Sequence, residues 1–355
     1  MDLRRHVKML LNLLRILLSP ILLPLSLLYY LAIRIRHFLY DKGIFKTNDL
    51  PVVVVSVGNI HVGGTGKTPF VFWLSENLRS NGYKIAILSR GYGRKTKGVV
   101  IVHDGQSLQS SVEESGDEAY MLAAKLNNIP TVVAESRYDG AKLIHDRYQP
   151  DIIVLDDGMQ HRQLHRDIDI VLFNQPSILD HFYLPLGNLR DTRHAARRAS
   201  FLVQTKLRIG ELPFTNKFGR YVDAAMYNIT SDVLLDKQDH PIAPAKMENI
   251  FAFTAIAKPE AFFDDLKLLV QHAQIEKMTF RDHHFYTENE INRLHQEVRN
   301  GKVLVTTEKD MVKLQKVKIE NLYYLPLEIK EETGRLFSQI NEMVLTKLRA
   351  KNDWP

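Results

Sequence analysis

Residues 51–57, Pro51-Val52-Val53-Val54-Val55-Ser56-Val57, form a nearly continuous β-branched run. Such a run predicts a strand buried on both faces, as in a parallel sheet. Gly63-Gly64-Thr65-Gly66-Lys67-Thr68 follows it, and a helical segment begins at Pro69. Glycines let the backbone curl so that successive N–H groups face phosphate oxygens, and the next helix presents its positive end. In this reading Lys67 neutralises the β- and γ-phosphates of ATP, and the Thr68 hydroxyl completes a Mg²⁺ coordination sphere. The strict pattern G-x-x-x-x-G-K-[ST] is not met, because His61 stands where its first glycine belongs.

A second apolar run, Ile152-Ile153-Val154-Leu155, delivers Asp156-Asp157 at its C-terminal end. That is where ligands bind in open α/β sheets, and an apolar strand ending in a carboxylate holds Mg²⁺ or its water opposite a phosphate loop. Either aspartate can serve. Around these motifs, helix and strand signals alternate: 69–78 helical, 84–88 strand, 117–126 helical, 131–133 strand, 136–146 helical, 151–155 and 168–173 strands. This alternation predicts βαβ units and a P-loop α/β domain spanning residues 41–220. A loose stretch with Pro241 and Pro244 precedes a second alternation, with strands at 250–255, 302–306 and 322–325 and helices at 259–270, 287–298 and 331–348. It predicts a smaller α/β domain over residues 221–355.

The first forty residues are of another kind. From Ile16 to Ile33 there is no charge, and the length approaches the roughly 20 residues of a membrane span. Arg4, Arg5, Lys8 and Arg15 precede the run, and Arg34, Arg36 and Lys42 follow it. Basic residues on both flanks suit a helix that enters or lies in one leaflet near anionic phospholipid. The net charge of +6 fits lipid, nucleic acid or phosphorylated metabolites alike. The basic residues are spread along the chain without an aromatic-basic recognition motif, which argues against nucleic acid. The absence of cysteine excludes disulfides, thiolate metal sites and a cysteine nucleophile.

Phosphoryl transfer to an alcohol also needs a group to accept the hydroxyl proton. Asp117-Glu118, His161 and the run Asp282-His283-His284 are candidates, and spacing alone does not rank them. Pro185 to Asp191 leads into Arg193, His194, Arg197 and Arg198, a segment suited to a phosphorylated substrate or to anionic headgroups.

These motifs together resemble the tetraacyldisaccharide 4'-kinase (lipid A 4'-kinase) family over nearly the whole chain. The resemblance is carried by Val57-Gly58-Asn59 with Gly63 to Pro69, Leu88 to Gly93, Gly116-Asp117-Glu118, Asp156 to His161, Pro185 to Arg190, Asp282-His283 and Thr306 to Asp310. His61 fits as well, since the family's loop is built as Gly-Asn-x-x-x-Gly-Gly-x-Gly-Lys-Thr. The resemblance implies transfer of the γ-phosphate of ATP to the 4'-hydroxyl of an acylated glucosamine disaccharide 1-phosphate, forming lipid IVA. It implies work at the cytoplasmic face of the bacterial inner membrane, with no obligate protein partner. By position, Asp117 is the catalytic base and His283 its partner. Lys67 and Thr68 serve phosphate and Mg²⁺, Asp156 and Asp157 form the acidic Mg²⁺ pair, and Arg137 and Arg190 sit in or beside the cleft. Asp191, Met159 and Ala255 to Pro259 depart mildly from the family pattern. A dyad split between the domains predicts assembly on domain closure. A membrane-associated P-loop ATPase switch acting through protein partners is the alternative, and it needs no small acceptor.

Overall fold

The computed structural model describes residues 17–174 and 181–352; Arg4, Arg5, Lys8, Arg15 and Ile16 lie outside them. The described residues begin with helix α1 (Ser19–Asp41), with Pro20 in its first turn, where the missing N–H is harmless. There follow β1 (Val53–Gly58), α2 (Lys67–Ser80), β2 (Ile85–Ser89), β3 (Val100–His103), α3 (Val112–Ser115) and α4 (Asp117–Lys125). Next come β4 (Thr131–Val133), α5 (Arg137–Tyr148), β5 (Ile152–Asp156), β6 (Ile168–Phe173), α6 (Arg193–Arg197) and β7 (Phe201–Leu207). A small hairpin, β8 (Asn216–Lys217) and β9 (Arg220–Tyr221), precedes β10 (Ala224–Thr230). The remainder is β11 (Leu234–Leu235), β12 (Pro241–Ile242), β13 (Asn249–Thr254), α7 (Pro259–Leu269), β14 (Gln274–Thr279), α8 (Glu288–Arg299), β15 (Val303–Thr307), α9 (Glu308–Leu314), β16 (Leu322–Leu325), β17 (Leu327–Glu331) and α10 (Leu336–Asn352).

Two sheets result. The larger has the order β17-β10-β7-β6-β1-β5-β2-β4-β3, parallel except at its two edge pairs. The valine run explains its centre. Val53, Val55 and Val57 pack on one face against Phe70, Leu74 and Leu78 of α2, while Val52 and Val54 pack on the other with Ala141 and Ile144 of α5. A strand covered on both faces has no polar side to show, hence the unbroken apolar sequence. The smaller sheet has the order β12-β11-β16-β15-β13-β14, with a parallel core of β16, β15, β13 and β14.

One difference from the sequence expectation concerns the C-terminal third. The residues assigned by sequence to the smaller domain, 221–355, divide between the sheets, because β10 and β17 extend the large one and α10 covers it. Leu336, Ile340 and Val344, spaced four apart on one helix face, are buried in the same core as Val53 and Leu74. Burial of each contributes about 1.5–3 kcal/mol, so α10 closes the first unit. Local alternation reports an element's type, and pairing partners decide its sheet.

β1 lies between β5 and β6, and the connections on its two sides run in opposite directions across the sheet. The crevice beyond the C-terminal ends of β1 and β5 is therefore the topological switch point.

Candidate active site

The phosphate loop leaves β1 at Gly58, where an added Cβ would meet the Cβ of Met159 at 2.6 Å, so only glycine lets β1 approach the turn after Asp156-Asp157 this closely. Asn59 is fully buried and donates from Nδ2 to Oγ1 of Thr65 at 2.8 Å. Backbone N–H groups of Val62 and Arg190 bond to the carbonyls of Asn188 and Ile60, both at 2.8 Å, while His61 bridges to Leu189. His61 is thus held in an extended ladder, a conformation any residue adopts, and its position makes no demand for glycine. The demand falls on Gly66, whose φ of 78° sets the N-cap of α2 and places Lys67 and Thr68 in the first turn.

Asp156 ends β5 and is buried, accepting from Oγ of Ser89 at 2.9 Å through Oδ2. Its Oδ1 has no hydrogen-bond partner among the described residues. Burial raises its pKa to about 6, with Glu118 and Asp157 adding to the effect. Asp157 behaves oppositely. Burial opposes its charge, but the hydrogen bonds from Arg190 and the charge of Lys67 prevail and lower its pKa. Arg190 grips both carboxylate oxygens and also donates to Asn59 Oδ1, while Lys67 Nζ lies 3.8 Å from Asp157. Arg137, 1% exposed, donates to the Ala134 carbonyl; its Nε and Nη2 are buried without a hydrogen-bond partner among the described residues. Burial lowers its pKa to about 10, leaving it charged at neutral pH beside Asp156 and Asp157.

The third group comes from both sheets. Asp117 opens α4, and His283, in the loop between β14 and α8, places Nδ1 2.9 Å from Asp117 Oδ2 and 3.0 Å from Oδ1. Lys309 of α9 completes the cluster, with Nζ 3.1 Å from Glu118, 3.6 Å from Asp117, 3.7 Å from Asp282 and 3.4 Å from His283 Nε2. One turn on, Lys313 lies 3.5 Å from Asp117 and 3.1 Å from Asp310. Burial alone would raise Asp117, but the His283 hydrogen bond and the two lysines lower it to about 2. His283 moves up from its usual value, chiefly through the bond to Asp117.

Of the other sequence candidates, His161 is held neutral, its pKa lowered to about 4 by burial and by Arg137 and Arg90. His284 stacks on Phe280 and bonds Glu290 at 2.8 Å, a local anchoring role. The basic segment is tied down: Arg193 bonds His181, Arg197 bonds the Phe218 carbonyl, and Arg198 lies 3.5 Å from Asp41 of α1. Asp191 is buried and pairs at 2.7 Å with Nε2 of His37 on α1. Asn59, Ser89 and Lys309 lie in motifs that carry the family resemblance but were given no role from sequence, and Lys313 was not singled out. The spacing of the two lysines by four on a short helix was the available signal, since it puts both amines on one face.

α1 lies against this site. Ser26 bonds the Tyr183 carbonyl at 2.7 Å, Tyr29 the Arg190 carbonyl at 3.2 Å and Arg36 the Gln160 carbonyl at 2.6 Å. Leu17, Ile21, Leu23, Leu27, Leu28 and Ile35 are exposed, and the helix is long and apolar enough to cross a membrane.

A phosphate cradle, an acidic strand end and a carboxylate–imidazole pair bridging two sheets define a P-loop phosphotransferase. The family model described as tetraacyldisaccharide-1-P 4'-kinase matches residues 18–345, and the chain belongs to that family. It is 38% identical over 311 residues to the tetraacyldisaccharide 4'-kinase of Aquifex aeolicus, covering 88% of this chain and 94% of the relative. The enzyme of the same name from Flavobacterium johnsoniae is 37% identical over 324 residues, covering 88% and 92%. A crystal structure of the "apo" form of LpxK from Aquifex aeolicus in complex with ATP superposes with a TM-score of 0.76 at 34% identity, covering 93% of this chain and 99% of that one.

Proposed function

We propose that the chain is an ATP-dependent lipid kinase that transfers the γ-phosphate of ATP to the 4'-hydroxyl of tetraacyldisaccharide 1-phosphate, forming lipid IVA. Family membership supports the reaction. One observation carries the choice of a kinase over a nucleotide switch. A switch needs a phosphate cradle and a carboxylate for the metal, whereas the buried Asp117 with the half-buried His283 adds a proton acceptor.

In this mechanism the backbone N–H groups of residues 63–68 and the Lys67 ammonium hold the β- and γ-phosphates. Asp156 Oδ1, buried and without a partner among the described residues, fits a hard cation, so Asp156 and Thr68 would hold Mg²⁺. Asp157, clamped by Arg190, completes the acidic pair. Bound Mg²⁺ supplies positive charge against the phosphate oxygens. The 4'-hydroxyl bonds to Asp117 and attacks the γ-phosphorus; the new O–P bond forms as the bond from phosphorus to the β–γ bridging oxygen breaks, releasing ADP. A carboxylate as acidic as Asp117 accepts a hydrogen bond well and keeps a proton poorly. The hydroxyl proton passes to the hydrogen-bonded pair of Asp117 and His283, and Lys309, 3.6 Å from the one and 3.4 Å from the other, holds both groups in place.

Arg137 supplies a buried positive charge behind the acidic pair, and Arg190 aligns that pair with the loop. Attachment to the cytoplasmic face of the inner membrane through α1 brings the site to a lipid acceptor. The test is direct: purified protein, Mg-ATP and tetraacyldisaccharide 1-phosphate in detergent, with the product's phosphate position determined. Absence of transfer to the 4' oxygen overturns the reading.

A further inference from the structure

β7 ends in a distortion. Ala225 of β10 pairs with Gln204 and Tyr227 with Leu207, so one residue of β10 faces Thr205 and Lys206 together, and Lys206 has a φ of 61°. A bulge residue in the left-handed region is ordinarily glycine, because any Cβ there costs about 1 kcal/mol or more. Strain kept at one residue by its surroundings is a reason to ask what that side chain does.

The bulge is aimed at the phosphate loop. Thr205 Oγ1 donates to the Thr65 carbonyl at 2.7 Å and lies 3.1 Å from the Phe173 carbonyl, pinning the loop to the sheet. The Lys206 stem passes 3.7 Å from the point where a Cβ on Gly66 would stand, and its Nζ is 3.5 Å from the same point on Gly64. Lys206 has no ion pair with an acidic side chain among the described residues, while Lys67 and Lys258 act on it as like charges and Glu118 is the one acid that favours its charge. The residue as a whole keeps access to solvent, but protein crowds its amine, and that crowding, followed by the charges of Lys258 and Lys67, lowers its pKa to about 8. The like charges of Lys258 and Lys67 leave the Lys206 amine, 3.5 Å from the Cβ point of Gly64, in a setting that a bound anion would relieve.

We propose that Lys206 is a nucleotide-binding residue, held over Gly64 by the bulge so that its ammonium contacts the polyphosphate of the bound nucleotide. The proposal rests on the nucleotide reading above. The left-handed backbone is kept at Lys206 because it swings the side chain across the loop rather than along the strand.

The test is calorimetric titration of the full-length protein in detergent with ATP, ADP and AMP, without lipid acceptor. K206A weakens ATP about tenfold, as expected for loss of one charged contact. K206A leaves AMP unchanged, and K206R restores most of the ATP affinity. K206G is the second variant: it relieves the strain, so its melting temperature rises above wild type while its ATP affinity falls with that of K206A. Unchanged ATP affinity in K206A and K206G overturns the proposal, as does an equal loss for ATP and AMP, which would put the contact on the part they share, base, sugar or α-phosphate, and off the β- and γ-phosphates. A wild type that binds ATP but phosphorylates no acceptor would instead remove the lipid-kinase reading and leave this one standing.

Discussion

Nδ1 of His283 lies 2.9 Å from Oδ2 of Asp117, although 166 positions of sequence separate the two residues. One belongs to a helix on the large sheet and the other to a loop of the small sheet, so the pair exists only while the two units are apposed. Asp117→Asn or His283→Ala is expected to lower kcat by about 10²–10⁴ with little change in KM for ATP. The double variant is expected to be no worse than the more damaged single one, because the two act as a unit. Steady-state kinetics on the three variants checks this, and multiplicative losses would count against a shared proton acceptor.

The same pair ties stability to pH. The folded-state pKa of Asp117, about 2, lies below its usual 3.8. Its ionised contacts therefore stabilise the fold above pH 3.8, by about 2 kcal/mol, and that gain is lost as pH falls toward 2. His283 is raised, so its contribution is complete below its usual 6.5 and disappears as pH rises through the folded-state value. Denaturant unfolding of wild type and Asp117→Asn is expected to give a stability gap that narrows at both ends of the range. A gap constant from pH 2 to 9 would contradict the assignment.

Arg190 joins Asp157 to Asn59 through a planar fork, gripping both carboxylate oxygens. A lysine cannot reproduce that fork. Arg190→Lys is expected to lower kcat/KM for ATP about 10- to 100-fold despite keeping the charge. Retention of wild-type kcat/KM in this variant would show that charge alone suffices.

The exposed leucines of α1 are expected to face lipid. Leu27→Asp with Leu28→Asp replaces two exposed apolar side chains by charges. Each substitution is expected to weaken vesicle binding by about 1 kcal/mol or more. ATP affinity in detergent is expected to stay at the wild-type value. Co-sedimentation with anionic vesicles measures the first effect and nucleotide titration the second; undiminished sedimentation would argue against insertion through this face.

The sequence was most informative where the physics is local. A run of valines reads as a doubly covered strand whatever surrounds it, and glycine before Lys67-Thr68 reads as a phosphate loop because the backbone demand sits in four residues. β14, Gln274 to Thr279, escaped notice because an edge strand with one exposed side carries polar residues. β17 was hidden beyond Pro326, and the membership of α10 in the large sheet depends on which face finds Leu74 and Val53. In the site, Lys67, Asp156 and Asp157 were legible from spacing. The meeting of Asp117 with His283 was legible only through family resemblance. The four-residue spacing of Lys309 and Lys313 puts two amines on one helix face but does not say that they meet Asp117, and nothing local marks Asp191 as the residue that holds His37.

That last contact, with the carbonyl bonds from Ser26, Tyr29 and Arg36, fastens α1 lengthwise to the kinase body. With α1 in lipid, as proposed above, the protein is expected to meet its acceptor by sliding within a plane. Turnover is then expected to follow the mole fraction of acceptor among the surrounding lipids, so that diluting the bilayer with inert phospholipid slows it and adding buffer does not.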